Sequence, residues 1–343
     1  MKQQKLKKHT FLVALLIFAD IFTLTGFILS YGPWNKLRDL LITTAMTTKD
    51  HKYIAHILYD DETIKKVMSQ NYVKESNDNT DTDAITIGVT EDSKKTYANK
   101  YEQEILKKDN GNDLYKIVKI NGNGWVGYMG VVYDPTRVSL KLAPKLGVTG
   151  IFPSYLAKQA GAKLAMNASG FVDLNERGNG GTPTGTVIKN GKVVYSGGST
   201  GYGGGIAGFT KKGVLVLTHQ TPTQAIKAGV MDAVEFGPFL IVNGKNATIR
   251  GNGGWGNAPR SVLAQRKDGI VLFIVIDGRQ PGYSMGISMP NMVKLLNNYG
   301  AYNAVNLDGG ASSSLVENGK IINKPCAISA TGERQVPNIW MVK

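Results

Sequence analysis

An acidic residue at the end of an apolar run, followed by glycines and hydroxyls, is the stretch best suited to chemistry. Asp308 follows an apolar run that ends at Leu307 and stands before a short loop. The loop residues that could contact a ligand are Gly309, Gly310, Ser312 and Ser313. Glycines let a ligand approach the main chain, and exposed N–H groups in a turn can bind an anion. We predict strand, tight turn and strand, with an anionic or polyhydroxylated ligand; an ordinary glycine turn is the alternative.

Several stretches of the chain resemble the phosphodiester glycosidase family. The signature lies at 306–313, with further matches at 165–173, 233–240, 258–261, 274–279 and 332–338. Together the resemblance covers about the last two-thirds of the chain. One departure is that Ala168 and Ser169 stand where the family has two glycines, which suggests a narrower or differently shaped pocket.

The resemblance implies hydrolysis of a sugar-1-phosphate diester, and it suggests roles for particular residues. Asp308, Asp277 and Glu235 are the candidate catalytic carboxylates, and we expect Asp308 to matter most. The residues expected to bind the sugar or the phosphate are Asn167, Arg260, Arg279, Asn306, Gly309, Gly310, Ser312, Ser313 and Arg334. Arginine presents a planar fork of donors that matches a phosphate. The leaving group would be a phosphomonoester with a second pKa of about 6, so a strong general acid is unnecessary.

Two other functions remain open. A non-catalytic glycan-binding or exopolysaccharide assembly protein could have kept the same pocket. A serine hydrolase using residues 312–314 would need a base, and His219 is the only histidine of the main domain. No cofactor is certain. Asp173, Asp277 and Asp308 could include oxygen ligands for Ca²⁺, although no recognised calcium-loop spacing is present.

The composition favours anionic partners without pointing to nucleic acid. The 343 residues carry a formal net charge of +14, and four lysines of this excess lie within the first eight residues. A basic surface suits anionic glycans, teichoic-type polymers or membrane headgroups, and no nucleic-acid-binding motif is present. Cys326 is the only cysteine, so no internal disulfide can form.

The N-terminal region has the pattern of a single-pass membrane protein. The expected divisions are a cytoplasmic tail (1–10), a transmembrane anchor (11–31), a helical juxtamembrane stalk (32–73), a linker (74–83) and the phosphodiester glycosidase-like domain (84–343). The anchor is almost wholly apolar and about as long as a bilayer core requires. Because lysines precede it, the N-terminus is expected in the cytoplasm and the main domain outside the cell membrane.

Local signals predict an α+β fold, with a mixed, largely antiparallel sheet domain and few helices. Asn-Gly or Asp-Gly pairs separate apolar runs at 190–191, 243–244, 268–269 and 318–319, which is typical of hairpins. Helices are expected over 153–160 and 290–299. In the stalk, Asp60 should cap a helix carrying Ile64 and Val67, and Trp34, Leu37 and Leu41 should share one face of another helix.

Overall fold

The computed structural model describes residues 2–48, 52–88, 96–108, 114–173, 178–198 and 203–343. The helices within these ranges are α1 (Lys2–Tyr31), α2 (Asn35–Met46), α3 (Lys52–Leu58), α4 (Asp61–Gln70), α5 (Lys100–Leu106), α6 (Pro153–Ala160), α7 (Pro222–Lys227) and α8 (Met289–Asn298). The strands are β1 (Tyr72–Lys74), β2 (Tyr115–Gly122), β3 (Trp125–Val132), β4 (Val138–Leu142), β5 (Leu164–Asn167), β6 (Thr186–Lys189), β7 (Lys192–Ser196), β8 (Gly205–Thr210), β9 (Leu215–Thr218), β10 (Val230–Phe236), β11 (Phe239–Val242), β12 (Lys245–Asn246), β13 (Thr248–Arg250), β14 (Arg260–Arg266), β15 (Val271–Ile276), β16 (Ala301–Asn306), β17 (Leu315–Glu317), β18 (Lys320–Ile321) and β19 (Asn338–Val342).

The first helix, α1, is the apolar element at the N-terminus. Its stretch His9–Ile28 is long and apolar enough to cross a membrane, and none of that stretch is buried inside the protein. The apolar helix expected over 11–31 is therefore present, although it begins earlier, at Lys2.

The stalk forms a small helical cluster of its own. Asp60 caps α4 by accepting a hydrogen bond from the Thr63 N–H, as predicted. The buried residues shared by α2, α3 and α4 include Ile42, Ala45, Ala55, Ile64 and Val67. Of the residues expected to share one helix face, Trp34 and Leu41 are exposed, whereas Ile42 is buried.

The helical cluster is docked on the main domain rather than standing apart from it. Thr43 Oγ1 accepts a hydrogen bond of 2.7 Å from Asn252 Nδ2, and Thr47 Oγ1 donates one of 3.3 Å to the Trp255 carbonyl. In addition, β1 pairs with β13 in an antiparallel two-stranded sheet. These contacts fix the helices against the loop at 251–256.

The segment interpreted as a linker is also bound along the domain. The Glu75 carboxylate accepts from the Phe239 N–H at 2.7 Å and from the Gly204 N–H. Thr80 and Leu217 exchange two hydrogen bonds, since each N–H donates to an oxygen of the other residue. The segment 74–83 thus includes Glu75 and Thr80, which hydrogen-bond to the main domain.

Three further sheets form the main domain, and each pairing between their strands is antiparallel across the described residues. Their strand orders are β7-β6-β10-β8-β9, β12-β11-β16-β14-β15-β3-β2 and β18-β17-β5-β19-β4. The hairpins predicted at 190–191, 243–244, 268–269 and 318–319 all form, between β6 and β7, β11 and β12, β14 and β15, and β17 and β18. Asn190, Asn243 and Asn318 have positive φ, as these tight turns demand. The α+β prediction is confirmed.

The largest core lies between the three sheets. Phe209 and Phe236 come from the first, Phe273 from the seven-stranded sheet and Trp340 from the third, and all are buried. The other face of the seven-stranded sheet packs against α8 and α5, through residues such as Met292 and Ile105. This double burial holds the ends of the central strands β14, β15 and β16 rigidly in place.

Candidate functional site

The candidate site lies at one end of the seven-stranded sheet. Strand β14 begins at Arg260, which pairs with Ile276 at the end of β15, while Asn306 at the end of β16 pairs with Val262. Because β14 is antiparallel to its neighbours β15 and β16, the start of β14 and the ends of β15 and β16 lie at the same end of the sheet. The residues that follow, at 277–279 and 308–314, are therefore brought together.

The loop after Asp308 is pressed closely against β14. The Gly310 N–H donates to the Pro259 carbonyl at 2.9 Å. A Cβ on Gly309 would lie 2.8 Å from that same carbonyl oxygen, which is too close for any other residue without a shift. Gly310 has a φ of 60°, so both glycines are needed for this path. The strand and turn predicted here are confirmed.

Asn167 holds this loop in place from the neighbouring sheet. Its Nδ2 donates to the Asp308 carbonyl at 2.6 Å, and its Oδ1 accepts from Ser261 Oγ at 2.7 Å and the Ser314 N–H at 3.1 Å. The side chain is completely buried. We expected Asn167 to contact sugar hydroxyls. In the structure its side-chain amide is hydrogen-bonded to three groups of the protein, which favours a role in positioning the loop.

Arg279 is the exposed cation of the site. It has a φ of 58°, which is unusual for a side chain with a Cβ and turns the residue out of the strand direction. Its guanidinium lies over the loop, since a Cβ on Gly310 would be 3.4 Å from Arg279 Nη2. Burial raises the pKa of the Cys326 thiol, and the charge of Arg279 acts in the opposite direction.

Arg260 is the buried cation beside it. Its Nε donates to the Ile287 carbonyl at 3.0 Å, and its Nη2 donates to the Trp255 and Gly256 carbonyls at 3.1 and 3.0 Å. Burial, and to a lesser degree the charge of Arg279, lowers the pKa of Arg260 to about 9. At neutral pH it therefore remains a buried charge. No ion pair joins Arg260 or Arg279 to a carboxylate within the part of the chain that the structure describes.

Asp277 is held by donors on every side. Its oxygens accept from Tyr283 Oη at 2.9 Å, Asn323 Nδ2 at 2.8 Å and the Lys324 N–H at 3.0 and 3.1 Å. Burial raises the pKa of Asp277, although these hydrogen bonds act in the opposite direction. The same Asn323 amide donates to the Ser313 carbonyl, so Asp277 acts through it to hold the two loops together.

Two of the predicted site residues are engaged elsewhere. Glu235 Oε2 accepts from the Thr186 N–H at 2.9 Å, within the sheet of β6 and β10. Because Phe236 points into the central core, its neighbour Glu235 must face the other side of that sheet. Arg334 is paired with Asp173 at 2.5 Å and lies over the Phe171 ring. The geometry thus favours structural roles for Glu235 and Arg334.

The remaining predicted residues belong to the loop but are largely buried. Asn306 donates to the Gly237 and Leu307 carbonyls, and its exposed fraction is only 2%. Ser312 and Ser313 are 3% and 1% exposed. The Ser313 hydroxyl and Asn306 Oδ1 are buried without a hydrogen-bond partner among the described residues. Of the carboxylates, Asp308 is partly exposed at the mouth of the loop.

The side chains suggested for calcium or for serine chemistry do not converge. Asp173 pairs with Arg334, and Asp277 is saturated by its own donors. Across the described ranges, no group of three or more His, Cys, Asp and Glu side chains is arranged to hold a metal ion. The ring nitrogens of His219 lie 3.0 and 3.2 Å from the Gly204 and Ser76 carbonyls, where they cannot activate the serine loop.

Some site residues had no signal in the sequence. Asn323 and Tyr283, which hold Asp277, follow a hairpin and a loop without any recognisable motif. Ser261 could have been found, because it directly follows Arg260 in a matching element. Ala168 and Ser169 are completely buried, and Ser169 Oγ donates to Asn338 Oδ1. Their side chains therefore do not enter the site, and the narrower pocket that they suggested is not supported.

The chain belongs to the phosphodiester glycosidase family, whose model matches residues 160–343. That region contains the turns at Gly278 and at Gly309-Gly310. It also contains Arg260, Arg279 and the buried Asn167. It leaves out α1–α5, β1–β4 and all of α6 except Ala160.

Two relatives illustrate the similarity. A prophage-derived uncharacterised protein of Bacillus subtilis, YomE, is 32% identical over 176 residues, which are 49% of this chain. Because the match covers 26% of YomE, the chain spans about a quarter of that relative. The catalytic domain of zebrafish N-acetylglucosamine-1-phosphodiester alpha-N-acetylglucosaminidase, auto-inhibited by its pro-peptide, shares the fold with a TM-score of 0.55. It is 20% identical, and the alignment covers 68% of this chain and 85% of that one.

Proposed function

We propose that this protein hydrolyses a sugar-1-phosphate diester in a cell-surface polysaccharide or teichoic-type glycan. The family is hydrolytic, which supports a hydrolase. The observation that carries the proposal is the pair of cations, Arg260 and Arg279, beside the glycine loop of Asp308. The Arg279 guanidinium lies over Gly310, whose N–H donates to the carbonyl of Pro259, the residue before the buried Arg260. Burial lowers the pKa of Arg260 most, and the charge of Arg279 lowers it further, as repulsion between neighbouring cations does.

An anion bound between the arginines would relieve this repulsion. A phosphodiester carries one negative charge and offers oxygens to the forked donors of an arginine. Arg260 is fixed by three carbonyls, whereas Arg279 is exposed and available to the ligand. The main chain at Gly310, against which the Arg279 guanidinium lies, is free of a side chain, so a phosphate could approach it closely.

Asp308 is then the carboxylate suited to act at the sugar. In the proposed reaction, the bond between the anomeric carbon and the phosphate oxygen breaks, and water supplies the new hydroxyl of the sugar. The bond electrons leave with the phosphomonoester, and the water proton goes to Asp308 or to solvent. Asp308 would stabilise the positive charge that develops at the anomeric carbon or act as nucleophile or base, as carboxylates do in glycoside hydrolysis.

The test uses the full chain in detergent micelles with methyl diesters of α-N-acetylglucosamine-1-phosphate, α-glucose-1-phosphate and α-mannose-1-phosphate. We expect free sugar to be released from at least one of them. In ¹⁸O-labelled water the label should enter the sugar; label in the phosphate would instead indicate an ordinary phosphodiesterase. Binding of the diesters without turnover would support the alternative, a non-catalytic glycan-binding or assembly protein.

The proposed location is the outer face of the cell membrane. Helix α1 is long and apolar enough to anchor the chain, and the lysines that precede it favour a cytoplasmic N-terminus. The site would then face the glycans outside. Residues 2–8 would remain inside the cell.

A further inference from the structure

A second groove lies next to the candidate site, on the helix-covered side of the seven-stranded sheet. It is formed where α5, the β2–β3 hairpin and α8 meet, and it has a cavity volume of about 370 Å³. We call it the lysine groove. Its lining includes three lysines and four asparagines, namely Lys100, Lys119, Lys294, Asn121, Asn123, Asn291 and Asn298. Aromatic side chains form its floor.

The charges in this groove are unbalanced. Lys100, Lys119 and Lys294 are all exposed and form no ion pair with any carboxylate of the described residues. Glu104 is the acidic residue that lines the groove, and its Oε2 accepts a hydrogen bond of 2.6 Å from Tyr299 Oη. The groove therefore has a net positive charge and attracts anions.

The amides of the groove are also unengaged. The side chains of Asn121, Asn123, Asn291 and Asn298 make no hydrogen bond to any residue that the structure describes. An amide can donate and accept at once, as a sugar hydroxyl can, so several amides in one groove match a polyhydroxylated ligand.

The floor is aromatic and rigid. Tyr101 packs edge-on against Tyr299 with ring centroids 5.1 Å apart, and Trp125 is 8% exposed. Lys100 Nζ lies 4.9 Å from the Tyr101 ring centroid. A partly exposed ring beside an ammonium offers an apolar face to a sugar and a charge to a phosphate on the same ligand.

The groove is connected to the candidate site through one hairpin. The Gly124 carbonyl accepts from the Met285 N–H at 2.8 Å, and Ser284 Oγ accepts from the Val126 N–H at 3.1 Å. The same Ser284 hydroxyl donates to the Asp277 carbonyl at 2.6 Å. The hairpin that supplies two of the amides, Asn121 and Asn123, is thus bonded to the loop that carries Arg279.

We propose that the lysine groove binds a phosphate-bearing glycan polymer at a place separate from the point of hydrolysis. The ammonium groups would bind the phosphates, the amides would bind hydroxyls, and Tyr101 would support a sugar ring. Single-stranded nucleic acid fits less well, because Tyr101 is the only aromatic side chain lining the groove that is not buried, and stacking of successive bases needs several. Binding here does not require that the protein hydrolyse anything.

The first experiment measures binding of the full chain in a neutral detergent to phosphomannan and to the same mannan after removal of its phosphates. The variant Lys119→Gln/Lys294→Gln should bind phosphomannan about fivefold more weakly, since each exposed ion pair contributes a factor of a few. The control Lys192→Gln/Lys211→Gln removes the same charge from exposed positions of another sheet. Equal losses in both variants, or equal binding of both mannans by the wild type, would overturn the proposal.

A second arm separates glycan from other anions. Asn121→Ala/Asn291→Ala should weaken binding of phosphomannan about threefold and binding of inorganic polyphosphate by less, because phosphate oxygens accept from an amide N–H but offer no donor to the amide oxygen. Tighter binding of oligo-dT than of phosphomannan would replace the proposed ligand with nucleic acid. The lysine variant should retain wild-type kcat/KM on the small methyl diesters, so a failure of the groove and a failure of the hydrolase are distinguishable.

Discussion

Replacing Asn167 by alanine tests how the loop that follows Asp308 is held. The change removes the partners of three groups, namely the Ser314 N–H, the Ser261 hydroxyl and the Asp308 carbonyl. A buried polar group left unpaired costs about 1–3 kcal/mol. The Ser261 hydroxyl can rotate to another acceptor, so we expect a total loss of about 3 kcal/mol. For a domain of this size, that corresponds to a fall in Tm of about 6–12 °C.

The matched control is Asn303→Ala. Asn303 lies in β16, and its side-chain amide is completely buried like that of Asn167. Its Oδ1 accepts from the Asn243 N–H, and its Nδ2 has no partner among the described residues. That variant removes the partner of one group rather than three, so its fall in Tm should be about a third as large.

The assay is thermal unfolding of the full chain in detergent, followed by tryptophan fluorescence, with turnover of the methyl diester measured beside it. Asn167→Ala should lose both stability and turnover, because the loop of Asp308 loses its attachment to β5. An unchanged Tm with abolished turnover would refute this reasoning and return Asn167 to direct contact with the sugar.

Four further outcomes are expected. Asp308→Asn should lower kcat about 10²–10⁴-fold with little change in Tm, whereas near-normal turnover in a folded variant would move the chemistry elsewhere. Arg279→Lys should lower kcat/KM about tenfold or more with the Tm kept, and wild-type kinetics would argue against a phosphate clamp; Arg260→Lys should also lower the Tm, because it loses bonds to three carbonyls. Burial raises the pKa of Asp277 above its ordinary 3.8, so its contribution to stability is full below that pH and is lost as pH rises. The Tm of wild type minus that of Asp277→Asn should accordingly fall as the pH rises above 3.8, and a constant difference would contradict the shift. Protease added to intact protoplasts should digest residues 84–343, and full protection would reverse the proposed topology.

The parts of the fold that the sequence predicted depend on local signals. The turn at Asn190-Gly191 needs positive φ at two adjacent residues, and asparagine and glycine both adopt positive φ readily. The hairpin can therefore be predicted from this short stretch of sequence. The turn after Asp308 is similar, because a Cβ on Gly309 would lie 2.8 Å from the Pro259 carbonyl oxygen, so a glycine is needed there. Such features need no knowledge of distant segments.

The parts that could not be predicted depend on contacts between distant residues. Arg334 looks like a third phosphate ligand until its partner Asp173, far away in the chain, is known. Asp277 resembles Asp308 in its sequence surroundings, yet Asn323 and Tyr283 saturate it and leave Asp308 as the partly exposed carboxylate. A polar stretch such as 74–83 was interpreted as a linker because its hydrogen-bond partners, among them Phe239 and Leu217, follow much later.

The docked helices restrict where the protein can work. Tyr31 ends α1 and Asn35 begins α2, so the connection between them spans at most about 14 Å. Helix α2 is bonded to the Trp255 carbonyl, which also accepts from Arg260. With α1 in a bilayer, the proposed reaction would be confined to a thin layer at the membrane surface. Its rate would then follow the number of substrate groups per unit area of membrane, and dilution of the surrounding medium would leave it unchanged.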